Sequence, residues 1–216
     1  MSIQDTHDGM MRHMHFIWLG VFTIVFIWSA VNPADYQTWL LEVIPAIVGL
    51  IIIIASYRAF RLTTLLYVLI LIHCCILMVG GHYTYAAVPL FNDLKEIFGF
   101  ERNNYDKLGH FAQGFVPVMI AREIVIRKSV FNGARWRNFF IVCFCLALSA
   151  FYELIEWWTA IATEGGAEAF LGTQGYVWDT QSDMLMALLG AIAALLLLAR
   201  YHDRQLQILL TKQSSA

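Results

Sequence analysis

Asp106-Lys107-Leu108-Gly109-His110-Phe111-Ala112-Gln113-Gly114-Phe115-Val116-Pro117-Val118-Met119-Ile120-Ala121-Arg122-Glu123-Ile124-Val125-Ile126 is long enough to cross a bilayer as one helix, yet it carries four charged side chains, a histidine and a glutamine. Charged groups facing hydrocarbon are costly, so this stretch is expected to be enclosed by other helices. Its neighbours can supply them. Apolar runs precede it at Phe16 to Val31, Trp39 to Ser56 and Leu62 to Gly81, and follow it at Asn138 to Ile161 and Asp179 to Leu198. The whole chain is 59% hydrophobic and 14% charged, with a mean hydropathy of +0.63, far more apolar than a water-soluble domain tolerates on its surface. The reading is an all-α, polytopic membrane protein: one transmembrane domain spanning residues 1–216, a bundle of about six helices.

The connections agree with that count. Asn32-Pro33-Ala34-Asp35 breaks the first run from the second, and Tyr57 to Arg61 separates the second from the third. The longer link from His82 to Tyr105 contains Pro89 and Gly99, with an interfacial stretch expected at Phe91 to Phe98; a Gly-rich loop is expected from Glu164 to Val177. No small-x-small cleavage site follows the first run, which is therefore read as a retained helix. With the amino terminus in the cytoplasm, all of the 14 lysines and arginines except Lys95, Arg102 and Lys107 fall on the cytoplasmic side. That bias predicts two cytoplasmic termini. No basic stripe interleaved with aromatics exists, which excludes nucleic acid as a partner. Cys74, Cys75, Cys143 and Cys145 all lie in apolar runs and read as small buried residues.

This topology brings three helix-spaced pairs to one depth near the outer face: Asp106 with His110, Glu153 with Glu156, and Asp179 with Asp183. Each spacing puts both members on one face, separated by about 6 Å of rise or less. Asp106 and Asp179 alone would pass as helix-start residues favoured by the macrodipole. His110, Glu153 and Asp183 lie too far inside for that. Five carboxylates in a low-dielectric site repel one another, and Arg102 and Lys107 cannot balance them, whereas a divalent metal ion can. The set is hard to borderline, suited to Mg²⁺, Mn²⁺, Fe²⁺ or Zn²⁺. Asp106, His110, Glu153, Glu156, Asp179 and Asp183 are thus the expected metal ligands, with Glu153 and Asp183 the candidates for catalytic work.

Arg102 to Phe111, Tyr152-Glu153-Leu154-Ile155-Glu156-Trp157-Trp158 and Gln174 to Met184 resemble the strings of the bacterial inner-membrane family typified by YjdF, and the resemblance runs over nearly the whole chain. It implies a multi-pass inner-membrane location more firmly than any activity. The chain is also similar to VanZ-like membrane proteins associated with glycopeptide tolerance, which carry Asp-Lys-x-x-His-Phe and a later Asp followed seven residues on by Gly. Asp106 to Phe111 match the first string and Asp183 with Gly190 the second; Ala187 stands where that pattern has Asn.

Other polar residues carry less weight. His82 is either a further ligand or an interfacial residue, His73 reads as a helix-to-helix hydrogen-bonding group, and Glu42 reads as reaching the interface. Tyr105, Gln113, Tyr152, Gln174 and Gln181 flank the pairs and are placed to orient them. Ser149 has no histidine near it in its run and reads as a packing residue. Two functions remain for the cluster. In one, a periplasm-facing metal activates water against a lipid or lipid-linked envelope substrate that enters sideways between helices, with membrane lipids as partners. In the other, the cluster serves a cation or proton transporter, or a metal-binding sensor. A purely structural cluster is the third and costliest use of six ionisable groups.

Overall fold

The computed structural model describes residues 3–162 and 177–214. Seven α-helices are present among them: α1 (Ile3–Ala30), α2 (Tyr36–Ser56), α3 (Thr64–Tyr83), α4 (Pro89–Phe98), α5 (Tyr105–Arg127), α6 (Ala134–Ala162) and α7 (Asp179–Ser214), with a short 3-10 turn at Tyr85–Ala87. There is no strand among the described residues. α2, α3, α6 and the Asp179–Thr211 part of α7 are each long and apolar enough to cross a membrane, and α1 contributes the shorter apolar stretch Met14–Ala30. Large apolar side chains such as Phe16, Ile24, Ile54, Ile72, Phe144 and Leu196 stand exposed around the outside. In water they would form an aggregating surface; against lipid tails they are the expected lining.

The helix boundaries follow local chemistry. Between α1 and α2 the chain reverses at Asn32, whose φ is 57°, and Asp35 caps α2 by accepting the Thr38 amide hydrogen at 2.6 Å. α4 begins at Pro89 and stops at Gly99, whose φ of 67° is the left-handed conformation that glycine adopts without strain. Its Leu90, Ile97 and Phe98 are exposed, as the expected interfacial stretch requires. Two helices outrun the apolar patterns. α7 continues to Ser214 rather than ending near Leu198, and α1 begins at Ile3 rather than near Phe16. Hydropathy marks where lipid ends, while helical hydrogen bonding continues until a breaker arrives. The expected Gly-rich loop lies almost entirely outside the described residues.

α5 is the hub. It packs on α3, α6 and most extensively α7, and it buries Gly109, His110, Ala112, Gly114, Val116, Val118, Met119, Arg122 and Glu123. The enclosure expected from its polar sequence is therefore what the fold provides. α5 and α7 approach backbone to backbone: a Cβ on Gly114 would run into the Ala187 carbonyl, and one on Gly190 into that of Phe111. α1 docks on α3 through Trp18, whose indole donates to the Tyr67 carbonyl at 2.7 Å.

Candidate functional site

The start of α5 is held firmly, and that fixes Asp106 and His110. Buried Asn103 donates to the Val88 carbonyl (2.9 Å) and to Asn92 Oδ1 (2.8 Å), while its own Oδ1 accepts the Tyr105 amide hydrogen (3.0 Å). The Tyr105 hydroxyl donates to the Ile76 carbonyl of α3 at 2.9 Å. From this anchored end Asp106, His110 and, across the close α5–α7 seam, Asp183 each offer one ligand atom, all within 4.8 Å of one another. His110 Nε2 lies 3.5 Å from Asp106 Oδ1 and 3.7 Å from Glu153 Oε1 of α6. Its Nδ1 pairs with Gln113 Oε1 at 3.1 Å, which requires a proton on Nδ1 and aims Nε2 at the carboxylates.

The six expected ligands divide into four groups. Asp106, His110 and Asp183 converge. Glu153 stands beside them with its buried Oε1 unbonded. Asp179 turns to Arg102, which lies 4.0 Å from Asp106 as well, and Lys107 reaches Asp183 Oδ1 at 3.4 Å and the Ser182 hydroxyl. Glu156, at i+3 from Glu153, points to a different place. It lines a cavity of about 270 Å³ bounded by α2, α3, α5 and α6, together with Glu42, Tyr85, Asp106, His110 and Tyr152.

Several single residues differ from expectation. Glu42 is buried in the cavity wall rather than reaching the interface, one turn before Pro45, which lines the same wall. The signal available in sequence was that lone carboxylate three residues before a mid-helix proline. His82 serves the α1–α3 junction: its Nδ1 lies 3.1 Å from the Ser29 carbonyl, its ring packs on Trp28, and its own carbonyl accepts from the Ala34 amide. It is not a ligand of the cluster. His73 lines the deep end of the cavity and makes no hydrogen bond among the described residues. Tyr85, unremarked in the sequence, has its ring where Cβ atoms on Gly80 and Gly109 would sit, so two glycines admit it to the cavity. Of the flanking residues, Gln113 orients His110 and the Tyr152 ring stands edge-on to it at 6.3 Å; Gln181 is exposed, and Gln174 lies outside the described residues. Ser149 is buried and unbonded on α6.

Residues 14–204 match the family described as "Predicted membrane protein (DUF2238)". The chain belongs to that family. The "Inner membrane protein YjdF" of Escherichia coli (strain K12) is 51% identical over 185 residues, 86% of this chain and 88% of that protein, so the DUF2238 fold is shared nearly end to end. No solved structure matches the chain. Family membership and the apolar helices together make this a multi-pass inner-membrane protein. These matches do not show a likeness to VanZ-like proteins, and Gly190 of the second string has a structural reason: it is where α7 meets the backbone of α5.

Proposed function

We propose that this DUF2238 protein holds a divalent metal ion on Asp106, His110 and Asp183 and uses it to hydrolyse a lipid or lipid-linked envelope substrate at the periplasmic side of the inner membrane. Six crossings, α1, α2, α3, α5, α6 and α7, would then leave both termini in the cytoplasm, the arrangement the lysine and arginine distribution favours. The observation that carries the reading is the convergence of three ligand atoms from two rigid, closely seated helices beside a cavity. Two carboxylates and one imidazole leave coordination positions open for water and substrate, and a bound ion would supply Lewis acidity and an ionised water at neutral pH. Glu153 would serve as the general base, because its Oε1 accepts no hydrogen bond among the described residues and lies 3.7 Å from His110 Nε2. Asp183 is better employed as a ligand than as the base, since Lys107 and His110 bracket it. Gln113 sets the His110 tautomer.

Transport is the weaker reading. Below the cavity floor at Pro117 the bundle closes with Val118, Met119, Leu66 and Ala194, all fully buried. The test is metal content of the purified full chain beside the His110→Ala, Asp183→Asn and Glu153→Gln variants. Stoichiometric metal lost in the first two and retained in the third is the expected result. A folded wild type that takes up no ion under any loading condition overturns the metal site, and metal flux into sealed vesicles would replace hydrolysis with transport.

A further inference from the structure

The cavity beside the ligand trio has chemistry of its own. Its walls combine apolar Pro45, Leu77, Leu148 and Ile155 with the tyrosines 85 and 152, with Asp106 and His110 on the side of the trio, and with two further carboxylates, Glu42 on α2 and Glu156 on α6. Glu156 is only 8% exposed and has no hydrogen-bond or ion-pair partner among the described residues, while the polar neighbour of Glu42 is the Tyr85 hydroxyl. The basic groups nearby are engaged elsewhere: Arg102 with Asp179 and Asp106, Lys107 with Asp183, and His110 between Asp106 and Glu153. One divalent ion on the trio would still leave Glu156 without a direct donor among the described residues. A buried carboxylate facing open space and no donor calls for one.

The arrangement of helices shows how a ligand would arrive. α2 packs on α3, α3 on α5 and α5 on α6, so these four form an arc with the cavity on its inner side, and α2 and α6, the two ends of the arc, make no extensive contact among the described residues. Both helices carry an exposed apolar rim, Leu40, Ile44 and Val48 on α2 and Phe151 and Leu154 on α6. We infer that a lipid bearing a primary ammonium headgroup enters sideways between α2 and α6 and seats the ammonium between Glu42 and Glu156. A primary ammonium offers three N–H donors, enough for two carboxylates and the Tyr85 oxygen, and the tyrosine rings add cation–π attraction. The acyl chains would remain against the rim in the bilayer. This names the substrate class for the site proposed above; the reaction rests on that reading, the binding does not.

The test is native mass spectrometry of the full chain released from nanodiscs holding equal amounts of phosphatidylethanolamine and phosphatidylglycerol, with metal content read on the same samples. Phosphatidylethanolamine should remain bound in preference, and the preference should fall roughly tenfold or more in Glu156→Gln and in Glu42→Gln, on two different helices, with thermal midpoints confirming that each folds. Ile155→Trp, which fills the cavity and leaves every charge in place, should abolish retention. Asp183→Asn should lose metal and keep the lipid, so failure of the metal site is distinguishable from failure of this one. Equal retention of phosphatidylglycerol, or unchanged preference in both glutamine variants, overturns the ammonium assignment. Free ethanolamine binding as tightly as the lipid overturns entry from the bilayer.

Discussion

α5 carries a polar cluster at each end, and the two are built in opposite ways. At the C-terminal end Glu123, fully buried, accepts from the Thr63 hydroxyl (2.8 Å), Arg127 Nη1 (2.9 Å) and His202 Nε2 (3.0 Å); Arg122 reaches His202 Nδ1 (2.8 Å) and Asp203 (2.7 Å). Acids and bases are matched there, and the group ties α3, α5 and α7 into one block. At the N-terminal end acids outnumber bases, Glu153 Oε1 has no hydrogen-bond donor among the described residues, and a cavity adjoins the cluster. A charge-matched network, with only Arg122 Nε unbonded among the described residues, has finished its work on folding. An unsatisfied one beside open space keeps free capacity for an ion or a ligand, at a cost in stability that only function explains.

The comparison can be broken at its hinge first. Gly114→Ala places a Cβ against the Ala187 carbonyl, so the α5–α7 seam must open and both clusters lose their partners. Loss of the folded, detergent-stable protein is expected, read as collapse of monodispersity in size-exclusion chromatography. Next, Glu123→Ala leaves Arg127 and His202 buried without their acceptor and should destabilise by about 3–5 kcal/mol in denaturant unfolding, while folded molecules still bind metal. The reverse pattern is expected at the N-terminal end. Gln113→Leu frees His110 Nδ1 and should weaken metal affinity roughly 10–100-fold, as removal of a ligand's orienting partner does, with little change in thermal midpoint. If the metal titration is unmoved and the midpoint falls instead, the N-terminal cluster is as structural as the C-terminal one. The smallest effect belongs to Asp35, outside both clusters. Asp35→Ala should cost about 1 kcal/mol by removing the cap of α2. Hydrogen bonds from the Thr38 and Gln37 amides hold this carboxyl below its usual range, so its contribution is complete above the unfolded value and fades as pH falls through the folded one. Unfolding across that acid window should show the wild type converging on the variant.

Much of this was legible in the residues. The run from Asp106 to Ile126 was too polar for lipid, and α5 is indeed the enclosed hub. Pairing at three or four residues placed Asp106 with His110 on one face, and topology put Asp183 at the same level. Spacing along a helix cannot say which way that face turns. It made Glu153 and Glu156 equivalent, whereas the rotation of α6 gives one to the ligand trio and the other to the cavity. Likewise Asp179 pairs with Arg102 because the loop before α5 is pinned by Asn103, a contact between residues far apart in sequence. Glu42 looked peripheral because its neighbours in the chain are apolar, and only the packing of α2 on α3 turns it inward.

Composition and periodicity by themselves determined a helical membrane protein, the enclosure of its one long polar helix and the gathering of acids near one end. These follow from the cost of charge in hydrocarbon, which acts on every residue alone. The tertiary structure decided which acids meet, which are compensated and where a cavity remains. Those depend on helix rotation and on the close α5–α7 approach that Gly114 and Gly190 permit, and such pairings are properties of surfaces in contact, carried by no single helix.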